Sequence, residues 1–115
     1  MADGADTVLT DVFVLNWPKG AAVRVIGNSI TDALGDRLMG HDPATLPRQA
    51  IAEDLGQPLL RYSTDSPMRH TTGSLEEMAL YAGQGAGLIR DVVPAAERLR
   101  RMLEEAADCL DRLPR

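Results

Sequence analysis

Leu99, Leu103, Ala106, Leu110 and Leu113 step by four, three, four and three positions. That spacing predicts a single apolar stripe on a helix running from Val92 to about Leu113, with Arg and Glu on the opposite face. Asp91 stands where it can cap this helix, and Pro94 is tolerated in a first turn. An apolar stripe of this kind needs a mate. Either the rest of the chain supplies a facing core, or the stripe is left for another protein.

The rest of the chain has limited means to supply one. Hydrophobic residues make up 44% of it, but aromatics only 3%, namely Phe13, Trp17, Tyr62 and Tyr81, so any core is aliphatic and modest. The 115 residues suffice for one small domain or part of a larger one. They exclude a complete eight-stranded barrel enzyme, which takes about 250.

The N-terminal quarter reads as a β-hairpin over residues 6–28. Thr7 to Leu15 is dense in β-branched and aromatic residues, Asn16-Trp17-Pro18-Lys19-Gly20 offers a turn from Trp17 to Gly20, and Ala22 to Ile26 resumes a strand. Residues 29–73 read as helices and loop. Asn28 or Ser29 caps a helix to Gly40; Asp42-Pro43 or Thr45-Leu46-Pro47 starts a second one ending at Gly56, with Ile51, Ala52 and Leu55 on one stripe; residues 57–73 read mostly as loop. Residues 74–113 read as a short helix opened by a Ser74-x-x-Glu77 capping box and running through Tyr81, a Gly-rich turn, and the long amphipathic helix. The expected fold class is α+β and mostly helical, with three or four helices.

Acidic residues outnumber basic ones, 17 to 12, and the net charge of −5 leaves no electrostatic footprint for nucleic acid or an anionic membrane. Cys109 is the lone cysteine, so no intrachain disulfide or thiolate zinc cluster is available. The acidic start Met1-Ala2-Asp3-Gly4-Ala5-Asp6 lacks the pattern of a secretory signal, and no apolar run approaches the roughly 20 residues of a membrane span. A cytoplasmic protein is expected.

The most distinctive local feature is Gly83-Gln84-Gly85-Ala86-Gly87. Glycines let a backbone approach a ligand and aim amides at an anion, but the run has neither Rossmann spacing nor a P-loop ending, and by itself it reads first as a helix-breaking turn with tight packing. His41 and His70 have no partner at metal-ligand spacing and read as surface residues; no metal site is expected. Glu104, Glu105 and Asp108 alternate with arginines and read as a solvated face. Trp17 reads either as a binding residue or as an anchor closing the hairpin over its core, and Met39, Met68, Met78 and Met102 read as core fillers.

Several of these segments, taken in order, resemble the C-terminal part of nitronate monooxygenases, formerly called 2-nitropropane dioxygenases. They are Asp6-Thr7-Val8-Leu9-Thr10-Asp11, Trp17-Pro18, Val23-Arg24-Val25-Ile26-Gly27-Asn28, the block from Tyr81 through Gly83-Gln84-Gly85 to Asp91, and Pro94-Ala95-Ala96-Glu97. The likeness covers nearly the whole chain, and Ala82 to Asp91 is its most specific piece.

The resemblance implies the closing region of an FMN-binding TIM-barrel oxidoreductase that oxidises alkyl nitronates with oxygen; relatives reduce quinones or enoyl groups. In that family the proposed catalytic histidine and the FMN-phosphate loops lie upstream, on strands this chain lacks. His41 and His70 therefore inherit no role, and no catalytic residue is expected here. Gly83, Gln84 and Gly85 carry over as residues near the flavin or the cleft wall. The chain by itself is expected not to hold FMN or turn over, as a truncated or split enzyme would not. Its expected partners are a separately encoded FMN barrel or a second copy of itself; the alternative is a non-enzymatic helical interaction module.

Overall fold

The computed structural model describes residues 6–115; the polar start, Met1 to Ala5, lies outside them. The described residues form two small antiparallel sheets and two α-helices, an α+β arrangement in which helix does not predominate. The expectation of a mostly helical chain is corrected by the segment 50–73, whose strands replace an expected helix and loop.

Strand β1 (Thr7–Thr10) pairs antiparallel with β2 (Val23–Ile26), in a register that sets Thr7 opposite Ile26 and Thr10 opposite Val23. The two-stranded unit is as expected, but β1 ends at Thr10, and residues 11–15 run on without strand pairing as the most buried stretch of the chain. Val12, Phe13 and Val14 are fully buried, and with Val25, Ile30 and Ala79 they supply most of the core. Backbone polar groups at that depth need partners. Asp11 N donates to Leu38 O at 3.2 Å, and Leu15 N donates to Tyr62 O at 3.0 Å. Thr10 Oγ1 donates to Leu38 O at 2.6 Å and accepts from Val12 N at 3.1 Å. The reverse turn falls one residue later than expected, with Ala21 N donating to Pro18 O at 3.3 Å. Trp17 is exposed and does not close over the core.

Helix α1 (Ser29–Leu34) is opened by Asn28, whose side-chain oxygen accepts from Ile30 N at 3.1 Å and Thr31 N at 3.2 Å, while Thr31 Oγ1 accepts from Asn28 N at 2.8 Å. This reciprocal cap satisfies amides that have no intrahelical partner. The helix stops at Leu34 and does not reach Gly40, because Gly35 leaves helical geometry.

No helix spans 42–56. The Asp42 side chain accepts from Ala44 N at 3.0 Å and fixes a local turn. The chain then enters β3 (Ala50–Asp54), which pairs with β4 (Gln57–Leu60) on one side and β5 (Thr71–Gly73) on the other. Leu55 and Gly56 make the two-residue turn between β3 and β4, at φ of 48° and 83°. Positive φ at both central residues matches the twist of a tight hairpin. Ile51, Ala52 and Leu55 mimic a helical stripe while belonging to a strand and its turn. Gly73 is held against the sheet: a Cβ there would lie 2.6 Å from Ile51 O.

Ser74 makes no side-chain cap, and the expected helix to Tyr81 is a single 3-10 turn at Leu75–Glu77. Its amide is taken by the sheet instead, donating to Ile51 O at 2.9 Å. Residues 80–82 then run along β2, with Ile26 N donating to Leu80 O at 2.8 Å and Ala82 N to Arg24 O at 3.2 Å. Met78 joins the core, but Met39, Met68 and Met102 are exposed, against expectation.

Helix α2 covers Ala95–Asp111 with Pro94, not Asp91, at the N-cap. None of its residues is buried, and the expected stripe lies uncovered, with Leu103 65% and Leu110 67% exposed. A radius of gyration of 18.2 Å reflects this; a compact chain of this length has about 13 Å.

Candidate functional site

The Gly-rich segment is positioned by the pairing of residues 80–82 with β2, which delivers the chain to Gly83 at the sheet margin. Gln84–Leu88 then form a 3-10 helix, stabilised by Ala86 N donating to Gly83 O at 3.0 Å and Ile89 N to Ala86 O at 3.2 Å. Gly83, Gln84 and Gly85 are all exposed. Neither glycine is demanded by the chain itself: Gly83 sits at an ordinary φ of −77°, and a Cβ at 83 or 85 would meet nothing within 4 Å. The tightly packed turn considered from sequence is therefore not what these two residues form. They leave a stretch of backbone open to whatever approaches from outside.

Beside it lies an open groove of about 510 Å³, lined by Leu88, Ile89, Asp91, Val92, Val93, Ala95 and Arg98. Leu88 and Val92 are 81% and 95% exposed. The polar end is closed by Asp91, which binds the guanidiniums of Arg98 and Arg101, the latter at 2.6 Å. Hydrogen bonds from Arg101 and then Arg98 hold the Asp91 carboxyl below the usual range. Asp91 thus ties the groove to α2 instead of capping it.

A second constellation escaped sequence reading because its members are 30 positions apart. Asp11, buried at the end of β1, accepts from His41 Nδ1 at 2.7 Å, Gly40 N at 2.8 Å and His41 N at 3.1 Å. Burial opposes its negative charge, but these donors, led by the His41 ring, outweigh it and lower the carboxyl's pKa. His41 is therefore largely covered and not the free surface residue expected, while His70 is exposed. The pair is joined by Lys19 and Asp42, 3.3 Å apart on the adjoining surface. Among the described residues no hydroxyl or thiol is hydrogen-bonded to the His41 ring beside its contact with Asp11.

Elsewhere, Arg61 Nη2 donates to both Glu77 oxygens at 2.9 Å. Tyr81 donates its hydroxyl to Thr64 O at 2.7 Å, and burial, then Asp65, raises its pKa. Among the described residues no group of three or more His, Cys, Asp or Glu is placed to hold a metal ion, and no helix is long and apolar enough to cross a membrane.

In comparisons with known proteins, no family model, no curated protein and no solved structure matches the chain.

Proposed function

We propose that the chain is the C-terminal closing portion of a nitronate monooxygenase-like, FMN-dependent oxidoreductase, without turnover alone, and that residues 83–92 face a separate FMN-holding barrel. The observation that carries this reading is the adjacency of bare backbone at Gly83, Gln84 and Gly85 to the uncovered groove of Leu88, Ile89 and Val92. The likeness of Ala82 to Asp91 to the family's most specific segment supports it.

The chain's own residues fit one wall of a flavin site and not a whole one. The groove is open, and the guanidiniums nearest it, Arg98 and Arg101, are already neutralised by Asp91, which leaves them unsuited to a phosphate. Bound FMN would supply the redox chemistry. This chain would contribute backbone contact at 83–85, apolar cover that excludes water, and orientation of the segment through the pairing of Tyr81 with Val25.

The test is a flavin titration in two stages. The chain alone, added to FMN, leaves flavin absorbance and fluorescence unchanged. Added to an FMN-loaded nitronate monooxygenase barrel lacking its own closing region, it quenches the flavin and raises oxygen uptake with an alkyl nitronate. Flavin binding and oxygen uptake by the chain alone overturn the claim of inactivity. No effect on the barrel overturns the flavin reading and leaves a non-enzymatic interaction module, the reading favoured by the uncovered apolar face of α2.

A further inference from the structure

Neither Gly83 nor Gly85 has a steric reason in the fold, and both stand between two bodies that are braced internally and not to one another. We propose that residues 83–85 are a hinge, about which residues 86–111 swing as one arm relative to the sheets. The hinge does not depend on what the arm faces, so it stands apart from the flavin reading.

On the near side, residues 80–82 are clamped. Ile26 N donates to Leu80 O at 2.8 Å, Ala82 N to Arg24 O at 3.2 Å, and the Tyr81 hydroxyl to Thr64 O at 2.7 Å. Thr64 is itself held, its N and Oγ1 donating to Asn16 Oδ1 at 2.9 and 3.0 Å. On the far side, Asp91 accepts from Arg98 and Arg101, and Glu97 accepts from Arg100 and Arg101. The groove segment and the first turns of α2 are thereby one braced piece. Among the described residues, every hydrogen bond and ion pair of residues 83–115 stays within that segment. No residue of α2 is buried, so packing does not replace the missing bonds there.

A joint of this kind is made by a few residues that absorb changes in φ and ψ. Gly83, at φ −77°, holds a conformation open to any residue, and Gly85 is not among the glycines with positive φ. A Cβ at either would meet nothing within 4 Å. Glycine is thus not required for the pose seen; what it supplies is access to other poses. The turn across the joint is a 3-10 helix, whose hydrogen bonds have poorer geometry than those of an α-helix and resist rotation weakly. Beyond it, the 17 residues of α2 extend about 26 Å, so a small torsional change at Gly83 or Gly85 is amplified at Leu110. Because Asp91 ties the groove of Leu88, Ile89 and Val92 to α2, both uncovered apolar surfaces travel together. The arm has the build of a lid, able to move its apolar side without disturbing the sheets.

Amide residual dipolar couplings of the isotope-labelled full chain test this, since they report orientation averaged over the motion. Couplings from the strands and α1 are expected to fit one alignment tensor and those from α2 a second, smaller in magnitude by at least about a third, the contrast between rigid and flexible backbone. Within α2 they should fit a single helix, as a body swinging whole requires. The double variant Gly83→Pro, Gly85→Ala should merge the two tensors and restore the α2 magnitude to that of the sheets. Proline fixes φ at about −65°, close to the −77° of Gly83, and the Gly83 amide donates no hydrogen bond that would be lost. Gly85→Ala alone should recover part of the magnitude. Unchanged amide shifts over residues 7–79 report intact sheets in each variant. One tensor for the whole wild-type chain, α2 couplings that fit no single helix, two tensors persisting in the double variant, or a Gly85→Ala chain with the wild-type α2 magnitude would each overturn the proposal.

Discussion

Asp11 Oδ1 accepts from His41 Nδ1 at 2.7 Å, and this contact, with two backbone amides on the same carboxylate, fastens the 38–42 segment to the end of β1. Asp11→Ala removes the acceptor for three donors in a site where the carboxylate is nearly covered. Hydrogen bonds to charged groups and unsatisfied buried donors each contribute a few kcal/mol, so a loss of about 2–4 kcal/mol is expected in urea unfolding. His41→Ala, which leaves both backbone donors in place, should lose less than half of that.

The same carboxylate dictates an acid limit. Its folded-state pKa is depressed, so its contribution is fully present above the unfolded-state value near 3.8 and is lost as pH falls through the lower folded value. The urea midpoint of the wild type should hold steady from neutral pH to about 5 and fall below about 4. In Asp11→Asn the fall should be visibly shallower.

Two glycines should respond in opposite ways to alanine. At Gly73, φ is +121° and the new Cβ would lie 2.6 Å from Ile51 O and 2.7 Å from Ala52 Cα. Backbone cannot yield as a side chain tip can, so Gly73→Ala should cost at least about 3 kcal/mol or prevent folding. Gly85→Ala meets nothing within 4 Å and should change thermal stability by less than about 0.5 kcal/mol. If residues 83–85 face a partner closely, Gly85→Trp should abolish docking to the FMN barrel while leaving the chain folded.

Leu55 holds φ at 48° with its side chain 77% exposed, so it bears conformational strain and returns little packing. Leu55→Asn supplies the residue that a tight hairpin of this kind favours at its first central position, and should stabilise by about 0.5–1 kcal/mol in thermal melts.

That turn also explains where sequence reading failed. Asn-Gly or Asp-Gly would have announced the β3–β4 hairpin; Leu55-Gly56 conceals it, and the apolar triplet Ile51, Ala52 and Leu55 imitates a helix face. At Ser74 the capping-box spacing is present, but Ser74 N is claimed by Ile51 O, a long-range bond that local spacing cannot reveal. Conversely, what was legible depended on near neighbours: the cap of α1 at Asn28, the strand composition of 7–10 and 23–26, and the periodicity of α2. Of the candidate site, Gly83 to Gly85 could be singled out by composition. The groove beside them and the Asp11–His41 pair arise only once the chain has folded back on itself.

Apart from Gly87, every buried residue of the described chain lies at or before Ala79. The cooperative unit therefore ends near Ala82, and α2 is appended to it. None of its 17 residues is buried, so α2 lacks the tertiary packing from which most helical stability in proteins comes. Urea should therefore unwind α2 before the sheets give way, so that far-ultraviolet ellipticity begins to fall at a lower denaturant concentration than the near-ultraviolet signal of the core.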